Sequence, residues 1–107
     1  MTDDTVSASH ILLMYEGSTN SSAKRSKDEA RELIDDLEVQ LGDGADFAEL
    51  AREHSDCPSS RQGGDLGSFR RGAMIAEFED VAFGLDVGQS SAVVETEYGY
   101  HLIQRTE

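Results

Sequence analysis

The run Asp56-Cys57-Pro58-Ser59-Ser60-Arg61-Gln62-Gly63-Gly64-Asp65-Leu66-Gly67-Ser68-Phe69-Arg70-Arg71-Gly72 decides how this chain is read. Pro58, the paired serines, Gly63-Gly64, Gly67 and Gly72 are turn formers, and they enclose one short extended piece, Asp65 to Phe69. A strand embedded in turns, with helical patterns on both sides, points to a mixed sheet covered by helices rather than to a regular strand-helix alternation. The glycines do not make a nucleotide loop. Gly63-Gly64-Asp65-Leu66-Gly67 lacks the Lys-Ser/Thr pair that cradles phosphate, and Asp65 would repel it.

Working toward the N-terminus, Asp46-Phe47-Ala48-Glu49 has the form of a capping box. It predicts a short helix to about Ser55 with Phe47, Leu50 and Ala51 inward. Before it, the box Ser26-Lys27-Asp28-Glu29 opens a longer helix whose apolar stripe is Ala30, Leu33, Ile34, Leu37 and Leu41, stopped by Gly42 and Gly44. Ser9 to Tyr15 reads as a buried strand with His10, Leu12 and Met14 on one face, leading into a mobile polar loop over residues 17–22. Residues 1–8 are expected to be a flexible N-terminus, and 9–107 one domain. Toward the C-terminus, Phe78, Val81, Ala82 and Leu85 share one side of a third helix with Gly84 near its end. Gln89–Glu95 and Tyr98–Arg105 then predict two strands joined around Thr96-Glu97. The fold class is therefore α+β.

Composition narrows function by exclusion. A formal charge of −13 on 107 residues argues against nucleic acid and anionic membrane as partners. Solubility, a preference for basic peptides and adaptation to high salt all fit that charge. A single cysteine forbids an internal disulfide and suits a reducing compartment. Met1-Thr2-Asp3-Asp4 has no basic or apolar leader character, so the expected location is cytoplasmic, as a monomer.

Four blocks in order resemble the parvulin-type peptidyl-prolyl cis/trans isomerases, from Ser9 to Glu107. They are Ser9-His10-Ile11-Leu12; Ser55-Asp56-Cys57 with Gly64-Asp65-Leu66-Gly67-Ser68-Phe69; Arg71-Gly72-Ala73-Met74 with Phe78-Glu79-Asp80-Val81-Ala82-Phe83; and Gly99-Tyr100-His101-Leu102-Ile103. The resemblance implies a four-stranded antiparallel sheet surrounded by helices, in the order β-α-α-(short α)-β-α-β-β. It also implies two adjacent strand histidines, His10 and His101, with Cys57 facing the substrate amide and Thr96 as a nearby hydroxyl. Leu66, Met74 and Phe78 would form the apolar cup for the proline ring. No cofactor and no metal is implied, and the partners are proline-containing peptides or unfolded protein segments. Read without the resemblance, both histidines and the cup residues would pass for ordinary core, and Cys57 for a small buried hydrophobe.

The implied chemistry breaks no bond. Rotating an X-Pro amide meets a barrier of about 18–20 kcal/mol, because resonance is lost at the twisted midpoint. A catalyst has only to bind that midpoint better than either planar form. Cys57 as a nucleophile is the bolder version; the non-covalent version is preferred because aspartate can occupy its position in the family. Four rival uses are open: a zinc site from His10, His54, His101 and Cys57, a small hydrolase built on Cys57, a phosphate-directed isomerase, and a chaperone-like module that holds proline segments with little turnover. Scattered ligands argue against the first, and no oxyanion motif flanks Cys57 for the second. Phosphate-directed relatives carry a basic cluster after the first strand. Here Met14-Tyr15-Glu16-Gly17-Ser18-Thr19-Asn20 stands in its place, and Lys24, Arg25 and Lys27 read as a solvated face balancing Asp28 and Glu29.

Overall fold

The computed structural model describes residues 5–18 and 25–107. Along the chain run β1 (Thr5–Leu13), α1 (Lys27–Gly42), α2 (Phe47–His54), a 3-10 helix (Pro58–Gln62), β2 (Asp65–Arg70), α3 (Ala76–Gly84), β3 (Val94–Thr96) and β4 (Gly99–Arg105). The strands form one antiparallel sheet in the order β2-β1-β4-β3, which puts β1 and β4 at its centre. The expected α+β architecture is the one observed, but the sheet is wholly antiparallel, as the resemblance implies, and not the mixed sheet read from the order of elements, since every neighbouring pair of strands runs in opposite directions.

The helix starts follow their caps. Ser26 Oγ accepts from the Glu29 N–H at 3.1 Å, and Glu29 Oε1 accepts from the Ser26 N–H at 2.7 Å, which closes the first box. The second closes on one side only: Asp46 accepts from the Glu49 N–H at 3.2 Å. Alternation on the central strands sorts side chains into two cores. Ile11, Leu13, Tyr100 and Leu102 pack against Ile34 and Leu37 of α1 and Phe47 and Leu50 of α2. On the opposite face, Val6, Ala8 and Ile103 pack against Phe69 of β2 and Phe78, Ala82 and Leu85 of α3. His10, Leu12 and His101 share this second face by period two, at the open end of the α3 core.

Several boundaries differ from expectation, each for a local reason. The first strand starts at Thr5 rather than Ser9, because Thr5, Val6 and Ser7 pair with Arg70, Phe69 and Ser68 and Val6 to Ala8 are buried. Of the expected flexible N-terminus, residues 1–4 lie outside the described residues, as do 19–22 of the expected mobile loop. Gln89–Glu95 contributes only Val94 and Glu95 to a strand that runs on to Thr96. Ser91 Oγ takes the Ile103 N–H at 3.0 Å, so the ladder is interrupted there and a lone Ser90–Gln104 bridge remains. The hairpin turn is Glu97-Tyr98, one residue later than expected, which moves Tyr98 off the last strand.

The β1–β2 pairing contains a bulge. Ser7 faces Ser68 but Ser9 faces Asp65, so β2 carries one extra residue, and Gly67 sits there at φ +73°. A regular pleat would put Leu66 and Phe69 on opposite faces. The bulge turns both toward α3.

Candidate active site

At the open end of the α3 core lies a cavity of about 320 Å³, lined by His10, Leu12, Cys57, Leu66, Ala73, Met74, Ile75, Phe78, Tyr98 and His101. Six of the seven site residues expected from sequence are on that wall. The seventh, Thr96, stands behind it, bonded to His101. Volume and lining suit a pyrrolidine ring with one residue on either side. A larger cleft of about 490 Å³ lies at the start of α2, beside Asp46, Gln62 and Asp65. Its charged and amide walls offer no grip for such a ring.

The floor is a short relay. His10 Nδ1 and His101 Nδ1 are 3.2 Å apart, and His101 Nε2 is 2.8 Å from Thr96 Oγ1, which also accepts the Tyr98 N–H at 3.2 Å. The imidazoles lie nearly parallel, 5.4 Å between centroids and 28° between planes. Phe78 presents edge-on geometry to both, at 5.5 Å from His10 and 5.9 Å from His101. With each ring neutral, one Nδ1 donates and the other accepts. If the Thr96 hydroxyl donates, the relay ends in an N–H at His10 Nε2; if His101 donates to Thr96, it ends in a lone pair there. Either way that buried atom has no hydrogen-bond partner among the described residues.

Burial keeps both rings neutral. It pushes His10 from 6.5 down to about 3, with the neighbouring His101 adding to the effect, and takes His101 to about 4. In the unfolded chain each imidazole takes its proton near 6.5. Between 6.5 and about 4 the unfolded state therefore binds more protons, and stability falls as pH is lowered, by at most about 1.4 kcal/mol per pH unit for each histidine. Easing of carboxylate repulsion acts the other way. The difference in urea unfolding between the parent chain and His10→Asn at pH 7, 6 and 5 isolates the imidazole, and the parent's advantage is expected to shrink toward pH 5. In the same samples kcat/KM is expected to stay level from pH 8 to about 5. A limb near 6.5 would show that the rings titrate as if exposed.

Cys57 reaches the cavity because its segment is fastened to the end of β1. Ser55 Oγ accepts the Leu12 N–H at 3.0 Å, the Asp56 N–H donates to the Leu12 carbonyl at 2.7 Å, and Asp56 Oδ2 accepts the Met14 N–H at 2.8 Å. Arg25 completes the fastening by donating to that Asp56 oxygen and, at 3.0 Å, to the Met14 carbonyl. The solvated-face reading is thus corrected for Arg25, which is half-buried and pairs with Asp56; Lys27 stays solvated but pairs with Glu95 at 3.0 Å rather than balancing Asp28 and Glu29, and Lys24 lies outside the described residues. Cys57 Sγ accepts from Ser59 Oγ at 3.1 Å. His54 lies at the end of α2, 3.6 Å from Glu53, and is not on the cavity wall. Among the described residues no three His, Cys, Asp or Glu side chains cluster as a metal site.

Four lining residues were not anticipated. Leu12 follows from the period-two pattern that selects His10, whereas Ala73, Ile75 and Tyr98 come from turns, where no periodicity marks which way a side chain points.

Comparisons with known proteins agree with one another. The family model of the PPIC-type PPIase domain matches residues 1–107. The chain is 39% identical to peptidyl-prolyl cis-trans isomerase Pin1 of Digitalis lanata, over 99% of each chain. Among solved structures it resembles peptidyl-prolyl isomerase ESS1 from Candida albicans, with TM-score 0.91 and 36% identity over 100% of this chain and 65% of that one. It also resembles NmPin, the parvulin of Nitrosopumilus maritimus, with TM-score 0.71 and 34% identity over 100% of both.

Proposed function

This chain belongs to the family of PPIC-type peptidyl-prolyl isomerase domains, and from that premise we propose that it turns X-Pro bonds without covalent catalysis and without requiring a phosphate on the substrate. Its activity is peptidyl-prolyl cis/trans isomerisation. The observation that carries the mechanism is the junction of an apolar cup with a neutral histidine floor, made where Phe78 meets both imidazoles edge-on. Leu66, Met74 and Phe78 grip the proline ring while the carbonyl side rotates. As the amide twists, its nitrogen regains a lone pair and its carbonyl loses amide character. The His10–His101–Thr96 relay, which ends in a buried and unpartnered His10 Nε2, favours that midpoint electrostatically.

Two further observations support the finer parts. The Cys57 thiol is hydrogen-bonded to Ser59, not to either imidazole, which leaves it no base to make it a nucleophile. Arg25, the half-buried cation nearest the site, is engaged by Asp56 and the Met14 carbonyl, so it does not stand ready to clamp a phosphate.

An NMR exchange assay on Ser-Pro peptides with and without phosphoserine tests both. The unphosphorylated peptide is expected to be turned over at least as fast, and Cys57→Asp to retain activity within about tenfold. A phosphopeptide preferred by more than about tenfold would defeat the phosphate-free reading. Complete loss in a folded Cys57→Asp chain would restore the nucleophile. No acceleration of any peptide would favour the rival module that only holds proline segments.

A further inference from the structure

One carboxylate is buried among the described residues, and the reaction above makes no use of it. Glu79, on α3, is 6% exposed. A carboxylate withdrawn from water is strongly unfavourable unless hydrogen bonds replace its hydration. Glu79 finds them on the loop that leads into its own helix. The Met74 N–H donates to Oε2 at 2.9 Å. The backbone amides of Gly72, Met74 and Ala73 hold the carboxyl below its usual range. Ile75, the residue before α3, supplies no side-chain cap, so the common device for ordering such a junction is missing. The carboxylate does that ordering from one turn inside the helix.

The loop it orders is part of the cavity. Ala73, Met74 and Ile75 line it from the loop, and Phe78, the residue beside Glu79, lines it from the helix. We infer that Glu79 is a positioning residue for the proline cup: its carboxylate ties the backbone at Met74 to the helix that carries Phe78, and so fixes two walls that one pyrrolidine ring touches together. Holding the ring while the carbonyl turns requires both walls to stay put. If the loop wall yields, the ring is gripped less firmly in every state of the amide, and affinity falls along with turnover.

This deepens the isomerase reading and rests on it. Glu79→Gln keeps an acceptor oxygen but loses the charge, Glu79→Asp is one methylene too short to span to Met74, and Glu79→Ala has neither. KM is expected to rise about tenfold in the alanine and aspartate chains and less in the glutamine chain, measured well below each melting temperature. A role in stability alone would lower the active fraction and leave the KM of the folded molecules unchanged. In the unaltered chain the Met74 amide proton is expected to exchange slowly with solvent, a reading that needs no variant to fold. KM within about twofold of the parent in all folded variants, or a Met74 amide that exchanges like an open loop, would overturn the proposal. Were the unaltered chain to turn over no peptide, the isomerase reading would fail. NMR titration with a proline peptide would still decide for Glu79, its affinity weakening in the variants if the cup is held as described and remaining the same if it is not.

Discussion

Phe78→Ala is expected to lower kcat/KM by about a hundredfold or more and the free energy of unfolding by about 3–5 kcal/mol. The stability loss comes from a ring 3% exposed that packs against Phe69 at 5.9 Å and belongs to the α3 core with Val6 and Ile103. Its removal leaves a void that the sheet cannot close without moving β1. The activity loss has a separate cause, since the same ring is a wall of the cup and packs in T-shaped geometry against both imidazoles. Phe78→Leu separates the two, because it refills much of the core volume but has no aromatic ring to set against the histidines. Urea unfolding and NMR exchange on the same samples should show Phe78→Leu closer to the parent in stability than in turnover. Parent-like turnover in a folded Phe78→Ala chain would remove the cup from the mechanism.

Gly64→Ala should be nearly as damaging although it adds a single methyl group. Gly64 stands at φ +85°, and its carbonyl accepts the His10 N–H at 2.9 Å. A Cβ built there would lie inside the van der Waals distance of the His10 carbonyl oxygen, which is backbone and cannot swing aside. Positive φ costs a non-glycine residue roughly 1–2 kcal/mol by itself. Relieving the clash also means prising β1 away from the loop, and the strand residue displaced is His10. A total loss of about 3 kcal/mol or more is expected, with turnover falling in step. Gly88→Ala is the control: it has φ +87° with nothing within 4 Å of the added carbon, so it registers the strain of the backbone angle alone. Equal losses at the two positions would mean that the approach to His10 is not what demands glycine at 64.

Much of this was legible in the sequence where a residue's role follows from its spacing. The cap at Ser26, the stripe through Ile34 and Leu37, and the alternation that separates His101 from Tyr100 and Leu102 are periodic signals, and the structure has them. His10, Cys57, Leu66, Met74, Phe78, Thr96 and His101 came together through resemblance rather than through spacing. What could not be read lies where regular geometry breaks. The bulge at Gly67 puts Leu66 and Phe69 on one face although they are three apart, a result opposite to that of an unbroken pleat. Glu79 on a helix reads as a solvated charge, because the amides that receive it belong to a loop whose path has no local code. Arg25 reads as part of a solvated face balancing Asp28 and Glu29 for the same reason: its actual partner Asp56 is distant in sequence and meets it only because the segment before Cys57 is fastened to β1.

That fastening has a meaning for how this scaffold can be altered. The Glu16 N–H donates to the Arg25 carbonyl at 2.9 Å, and the Arg25 guanidinium returns to Met14 and Asp56, so the chain leaving β1 and the chain entering α1 are clasped together beside the cavity. The two ends of this connection thus meet in a closed neck at Glu16 and Arg25. Lengthening such a connection costs only about 0.6 kcal/mol per doubling. A change of length between Ser18 and Arg25 is therefore expected to leave Cys57 in its place, because the clasp and not the connection holds the segment before it.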